Sequence, residues 1–160
     1  MDSNIGSAFD QVMKMMTGKD EFEGKDEQIE ALEHLFNGQD VVCVLPTGYG
    51  KSYIFFSLVG MYHIIDGHFE HSLKKTDKPM VLVVSPLLSL MAVHVKEAKT
   101  HGLNAIQWPS SEADTSIADC DIMFSSPEYL TSKAGVDMLA NVASRIIVMV
   151  TDEVHVAPKW

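Results

Sequence analysis

Apolar residues fall into two patterns along the chain: short runs apolar at nearly every position, and longer stretches with apolar residues every three or four. The first pattern predicts strands buried on both faces, and the second predicts helices. Residues 1–20 are polar, with a weak helical pattern around FDQVMKMM, and predict a loosely ordered lead-in. EQIEALEHLFNG puts Ile29, Leu32, Leu35 and Phe36 at helical spacing before the stop signal Asn37-Gly38. DVVCVLP predicts a buried strand, KSYIFFSLVGMYHII a helix and HFEHSLKKTDKP a polar connector. MVLVVSP predicts a second buried strand, and LLSLMAVHVKEAKTHG an amphipathic helix ending at glycine. LNAIQW reads as a short strand, PSSEADTSIAD as a polar loop and CDIMFSSP as a strand. EYLTSKAGVDMLANV reads as one helix, and RIIVMVTDE is the most apolar strand of all.

Doubly apolar strands alternating with helices predict an α/β fold with a mainly parallel central sheet. The 160 residues are 46% hydrophobic and 21% charged, enough for one domain with a real core. YIFFSLVGMYHII is too short to cross a bilayer and reads as a buried helix, so no membrane partner is expected. The start carries no basic, then apolar, leader pattern. Cys43 and Cys120 form no disulfide or zinc spacing, and a reducing intracellular compartment is expected, the nucleus in a eukaryote. The net charge of −10 argues against a broad nucleic-acid surface, because neutralising phosphates takes clustered cations. A narrow channel built from amides and hydroxyls is compatible with that charge.

The strand-turn-helix VVCVLPTGYGKSYIFF carries the first chemistry. A full phosphate-binding loop asks for Gly, four residues, then Gly-Lys-Ser/Thr, and here Leu45 stands in the first glycine position. Thr47, Gly48, Tyr49, Gly50, Lys51 and Ser52 complete the pattern. Gly48 and Gly50 allow consecutive N–H groups to curl into an anion nest at a helix N-terminus. Lys51 would reach the β/γ-phosphates of a nucleotide, and Ser52 would hold Mg²⁺. A second acidic element is needed at a strand end, and IIVMVTDEVH supplies it. Asp152 would hold Mg²⁺ through water, and Glu153 would orient or deprotonate an attacking water.

In this order the motifs resemble the first RecA-like domain of RecQ-family DNA helicases, in helicase superfamily 2 of DEAD/DEAH-box type. KDEQIEAL resembles motif 0, LPTGYGKS motif I, VVSPLLSLM motif Ia, FSSPEYL motif Ib and DEVH the DEAH box. VHVAPKW resembles the start of the aromatic-rich loop that follows the box, and Leu45 is no anomaly in such helicases. The resemblance runs from about Gln28 to Trp160 and implies a three-layer P-loop domain over residues 21–160, incomplete at its C-terminal end. Motif III, the second RecA-like lobe with its arginine finger and any accessory domain are not in this sequence.

By resemblance, Gln28 reads adenine, since its amide pairs with a donor and an acceptor together. Phe22 is the candidate to pack on the base. Ser85, Pro86 and Leu87, with Ser125 and Ser126, would contact single-stranded or partly duplex DNA from strand ends; taken alone, each serine is a helix cap. His155 would couple nucleotide state to DNA contacts. The family's Asp-Gln after motif Ia is here Val93-His94, and its DEAH alanine is Val154. The implied activity is ATP- and Mg²⁺-dependent 3′-to-5′ unwinding, in DNA repair and recombination. A stand-alone nucleotide-binding protein remains open as a second reading, whereas a GTPase or kinase lacks its guanine-reading and lid segments. The family order also implies a further strand between DVVCVLP and RIIVMVTDE, which would set them about 10 Å apart, two strand spacings.

Overall fold

The structure, a computed structural model, describes residues 3–46, 48–110 and 116–152. The chain divides into two units, Met1–Leu73 and Lys74–Trp160.

The first unit is helical. Helix α1 (Ser3–Thr17) buries Ile5, Ala8, Phe9, Val12 and Met13, a stripe at three- and four-residue spacing. It packs on α2 (Asp26–Phe36) and on α3 (Lys51–Ile65). A Cβ on Gly60 of α3 would stand 3.0 Å from Val12 Cγ1, so these two helices approach closely at that glycine. The expectation of a loose lead-in over residues 1–20 is therefore corrected for the helical part. Fully burying a side chain such as Phe9 or Met13 contributes about 1.5–3 kcal/mol, which outweighs the modest helix propensity of the segment. Helix α3 is buried nearly all round, from Ile54 to Ile65. No helix among the described residues is long and apolar enough to cross a membrane.

The segment Val41–Leu45 departs from expectation. It forms no strand, and Val42 and Val44 are 93% and 89% exposed while Val41, Cys43 and Leu45 are half-buried. A buried strand exists only through ladder partners on its edges and covered faces, and no described strand pairs with this segment.

The second unit carries the sheet. Its strands are β1 (Met80–Val84), β2 (Ala105–Gln107), β3 (Ile122–Ser125) and β4 (Ile146–Thr151), all parallel in the order β2-β3-β1-β4. The α/β class with a parallel sheet is thus as the sequence predicts. Strand β1 lies between two neighbours and is buried at every position, the pattern of a parallel strand covered on both faces. Its register places Val84 beside Ser125 on one side and Thr151 on the other. Although the most apolar in sequence, β4 is an edge strand: Ile147 is buried but Met149 is 64% exposed.

Helix α4 (Leu88–Thr100) follows β1 and buries Met91, His94 and Ala98. The single helix expected over residues 128–142 is two, α5 (Pro127–Leu130) and α6 (Lys133–Val142). Ser132 caps α6 by accepting from Gly135 N–H at 3.1 Å, and Ser126 caps α5 by accepting from Tyr129 N–H at 3.1 Å. Met138 and Val142 of α6 join Met80, Leu82, Met123 and Leu130 in one apolar core.

Candidate nucleotide-binding site

In the first unit, Gly48 and Gly50 have φ of +82° and +86°, the left-handed conformation that side chains resist. Gly50 is the N-cap of α3, and no described side chain caps that end. The first N–H groups of α3 thus lie where a helix favours an anion, with Lys51 and Ser52 as its first two residues.

Helix α2 holds this loop from the side. Buried Gln28 donates from Nε2 to the Gly50 carbonyl at 2.9 Å and accepts on Oε1 from the Lys25 N–H at 3.0 Å. An amide has two N–H donors and two lone pairs on oxygen, so these two bonds use half of the hydrogen-bonding capacity of Gln28. Lys25 Nζ donates to the Tyr49 carbonyl at 2.8 Å and sits 4.1 Å from the centre of the Tyr49 ring. The Tyr49 hydroxyl donates to Glu27 Oε2. That donated hydrogen bond holds the Glu27 carboxyl below its ordinary pKa and, in the opposite sense, raises that of the Tyr49 phenol. Phe22 lies edge-on between Phe9 and Tyr53, with centroids at 5.6 and 6.3 Å.

In the second unit, the carboxyl ends of β3, β1 and β4 gather the other candidates. Asp152 N–H donates to the Val84 carbonyl at 2.9 Å, and Ser85 N–H to the Ser125 carbonyl at 3.0 Å. Parallel α/β sheets present ligand sites at this end. Asp152 is buried, and His94 Nδ1 of α4 stands 3.7 Å from its Oδ2. The His94 ring also packs against Phe124, with centroids 5.8 Å apart.

The serines are already engaged. Ser125 is buried and donates to the Trp108 carbonyl at 2.6 Å; Ser85 is buried with its hydroxyl 3.4 Å from Leu87 N. Ser126 caps α5, while Pro86 is half-buried and Leu87 exposed. Thr47, Glu153 and His155 lie outside the described residues.

Arg145, the sole arginine, sits at the opposite end of the sheet. It donates to the carbonyls of Lys78, Ile117 and Cys120 at 2.8–2.9 Å, tying together the segments that lead into β1, β3 and β4.

Among the described residues, no group of three or more His, Cys, Asp or Glu could hold a metal ion. The donors named for a metal are one hydroxyl, Ser52, and one carboxylate, Asp152. They lie in different units, and each by itself is a hard oxygen donor of the kind Mg²⁺ takes.

Sequence reasoning missed Lys25, Glu27 and His94. The short spacing of Lys25 and Glu27 from Gln28 was a usable signal for the first two. For His94 the only signal was its departure from the motif Ia pattern.

The DEAD/DEAH box helicase family profile matches residues 25–160, and the chain belongs to that family. Within it, the similarity is to RecQ-type helicases. The chain is 31% identical over 144 residues to the probable ATP-dependent DNA helicase RecS of Bacillus subtilis (strain 168), covering 85% of this chain and 26% of that protein. It is 25% identical over 145 residues to the ATP-dependent helicase wrn-1 of Caenorhabditis elegans, covering 85% and 12%. It is 28% identical over 157 residues to the ATP-dependent DNA helicase Q-like 5 of Arabidopsis thaliana, covering 93% and 15%. The chain thus spans about a quarter or less of the length of these relatives.

Proposed function

We propose that this chain is the ATP-binding lobe of a RecQ-like helicase that couples ATP hydrolysis to 3′-to-5′ DNA unwinding, its RecA-like domain covering residues 21–160. The observation that carries the reading is the loop at the start of α3: two left-handed glycines, a helix N-terminus that no described side chain caps, and Lys51 and Ser52 at its first two positions. In this reading, the loop N–H groups and Lys51 bind the phosphates, and Gln28 reads the base. When bound, Mg²⁺ would neutralise developing phosphate charge, with Ser52 and Asp152 as its protein ligands. Glu153 orients the attacking water, and His155 relays nucleotide state to DNA. Ser85, Pro86, Leu87, Ser125 and Ser126 line the DNA path, with the hydroxyls of Ser85 and Ser125 and the Ser85 N–H already engaged within the protein.

A second reading, nucleotide binding without catalysis by this chain alone, is favoured by Arg145. Phosphoryl transfer in such enzymes gains about 10³–10⁵ in rate from an arginine finger. The sole arginine here is committed to three backbone carbonyls. The 160-residue protein is therefore expected to bind Mg-ATP and Mg-ADP but neither to unwind DNA nor to turn over ATP above background. Calorimetry on wild type and Lys51→Ala tests the site. Equal affinity in two folded proteins would overturn it, and robust unwinding would overturn the expectation of inactivity.

A further inference from the structure

The phosphate loop is short and contains two glycines, so left alone it would sample many conformations and lose entropy on binding a nucleotide. The first turn of α2 restrains it at several points. Lys25 holds the Tyr49 carbonyl and lies against its ring, Glu27 accepts from the Tyr49 hydroxyl, and Gln28 holds the next carbonyl, Gly50. The side chain of Tyr49 and two consecutive backbone carbonyls, those of Tyr49 and Gly50, are therefore tied to one helix end. With those carbonyls drawn toward α2, the loop keeps a fixed direction for its N–H groups.

We propose that Lys25, Glu27 and Tyr49 form a latch that presets the phosphate loop, with Tyr49 a positioning residue for nucleotide binding. This rests on the nucleotide-binding reading above. The latch touches no phosphate in this account: it sets the backbone whose amides do. Because the Tyr49–Glu27 hydrogen bond is exposed and competes with water, its loss has a modest effect.

The test uses the whole 160-residue protein and Mg-ADP as probe. Tyr49→Phe and Glu27→Ala should each weaken binding by about threefold, mainly through a slower association rate, with melting temperature nearly unchanged. The double variant should bind no more weakly than either single one, since both remove the same contact. Glu27→Gln keeps an acceptor and should recover most of the loss. A purely structural role would lower the melting temperature and leave the binding of folded protein untouched. Binding that is lost in Lys51→Ala but indifferent to Tyr49→Phe, or losses that multiply in the double variant, would overturn the latch alone. Tighter binding in Tyr49→Phe would also overturn it, since the contact would then lock the loop against nucleotide. Failure of folded wild type to bind Mg-ADP would overturn the functional reading and the latch together.

Discussion

Alanine at the two loop glycines separates backbone strain from side-chain contact. Both hold a left-handed φ, +82° at Gly48 and +86° at Gly50, so either substitution costs about 1–2 kcal/mol to keep the loop shape. Their surroundings differ. A Cβ at Gly48 meets nothing within 4 Å, whereas one at Gly50 would lie 2.7 Å from Gln28 Nε2 and 3.2 Å from Tyr53 Cδ2. Gln28 is only 2% exposed and would retreat, losing its 2.9 Å bond to the Gly50 carbonyl, worth about 0.5–1.5 kcal/mol. At about 1.4 kcal/mol per tenfold, Gly48→Ala should weaken Mg-ADP about tenfold, and Gly50→Ala about 30- to 100-fold. Titration calorimetry on proteins of matched secondary structure reads both. Gln28→Ala should cost less in the Gly50→Ala background than in wild type, because the bond to the Gly50 carbonyl is already lost there and removing Gln28 relieves the clash. Equal affinities for the two glycine variants, or full additivity with Gln28→Ala, would refute the Gln28–Gly50 contact as a determinant of the loop.

Burial pushes the Cys120 thiol up to about 12, so in native protein it should resist thiol reagents at pH 8 and react only on unfolding. Its folded value exceeds the ordinary value of 9.0, so its contribution to stability is full below about pH 9 and falls as pH rises toward about 12; a base titration followed by circular dichroism reads this. Gly135→Ala would set a methyl 1.9 Å from the Tyr129 carbonyl oxygen, and should cost at least about 3 kcal/mol in urea unfolding or prevent folding. Single-stranded DNA should bind weakly and lose affinity from low to physiological salt, given the net charge of −10; a submicromolar, salt-independent affinity would contradict the proposed contacts.

The second unit was legible where burial is doubly enforced. Met80–Val84 reads apolar at every position and is an inner strand, and the periodic residues of α4 and α6 place those helices. What the pattern could not reveal was which strand ends up at an edge. Ile146–Val150 is as apolar as β1, yet lies outermost, because strand order depends on non-local pairing rather than composition. The break between α5 and α6 was hidden for a related reason. Thr131-Ser132 falls inside a helical periodicity, and only the hydroxyl accepting from Gly135 N–H marks Ser132 as a cap. The lead-in helix α1 was underestimated because its propensity is weak and its packing on α3 is invisible in one sequence.

The candidate site divides along the same line. Glycine, lysine and serine of the loop are recognisable because their roles depend on backbone conformation and local spacing. Gln28 illustrates the other half. Its residue type marks it as able to pair with a base, but a sequence cannot assign it the carbonyl of Gly50, 22 positions away, as its partner. That bond requires α2 to dock with its first turn against the loop, and docking is set by Ala31, Leu32 and Phe36 on the buried face of the same helix. Gln28 falls on that face too, one turn before Ala31 and Leu32, so the stripe that buries α2 also aims the amide at the loop. The apolar pattern and the polar signature are therefore one constraint: slide α2 by one residue and the core contacts and the loop contact fail together.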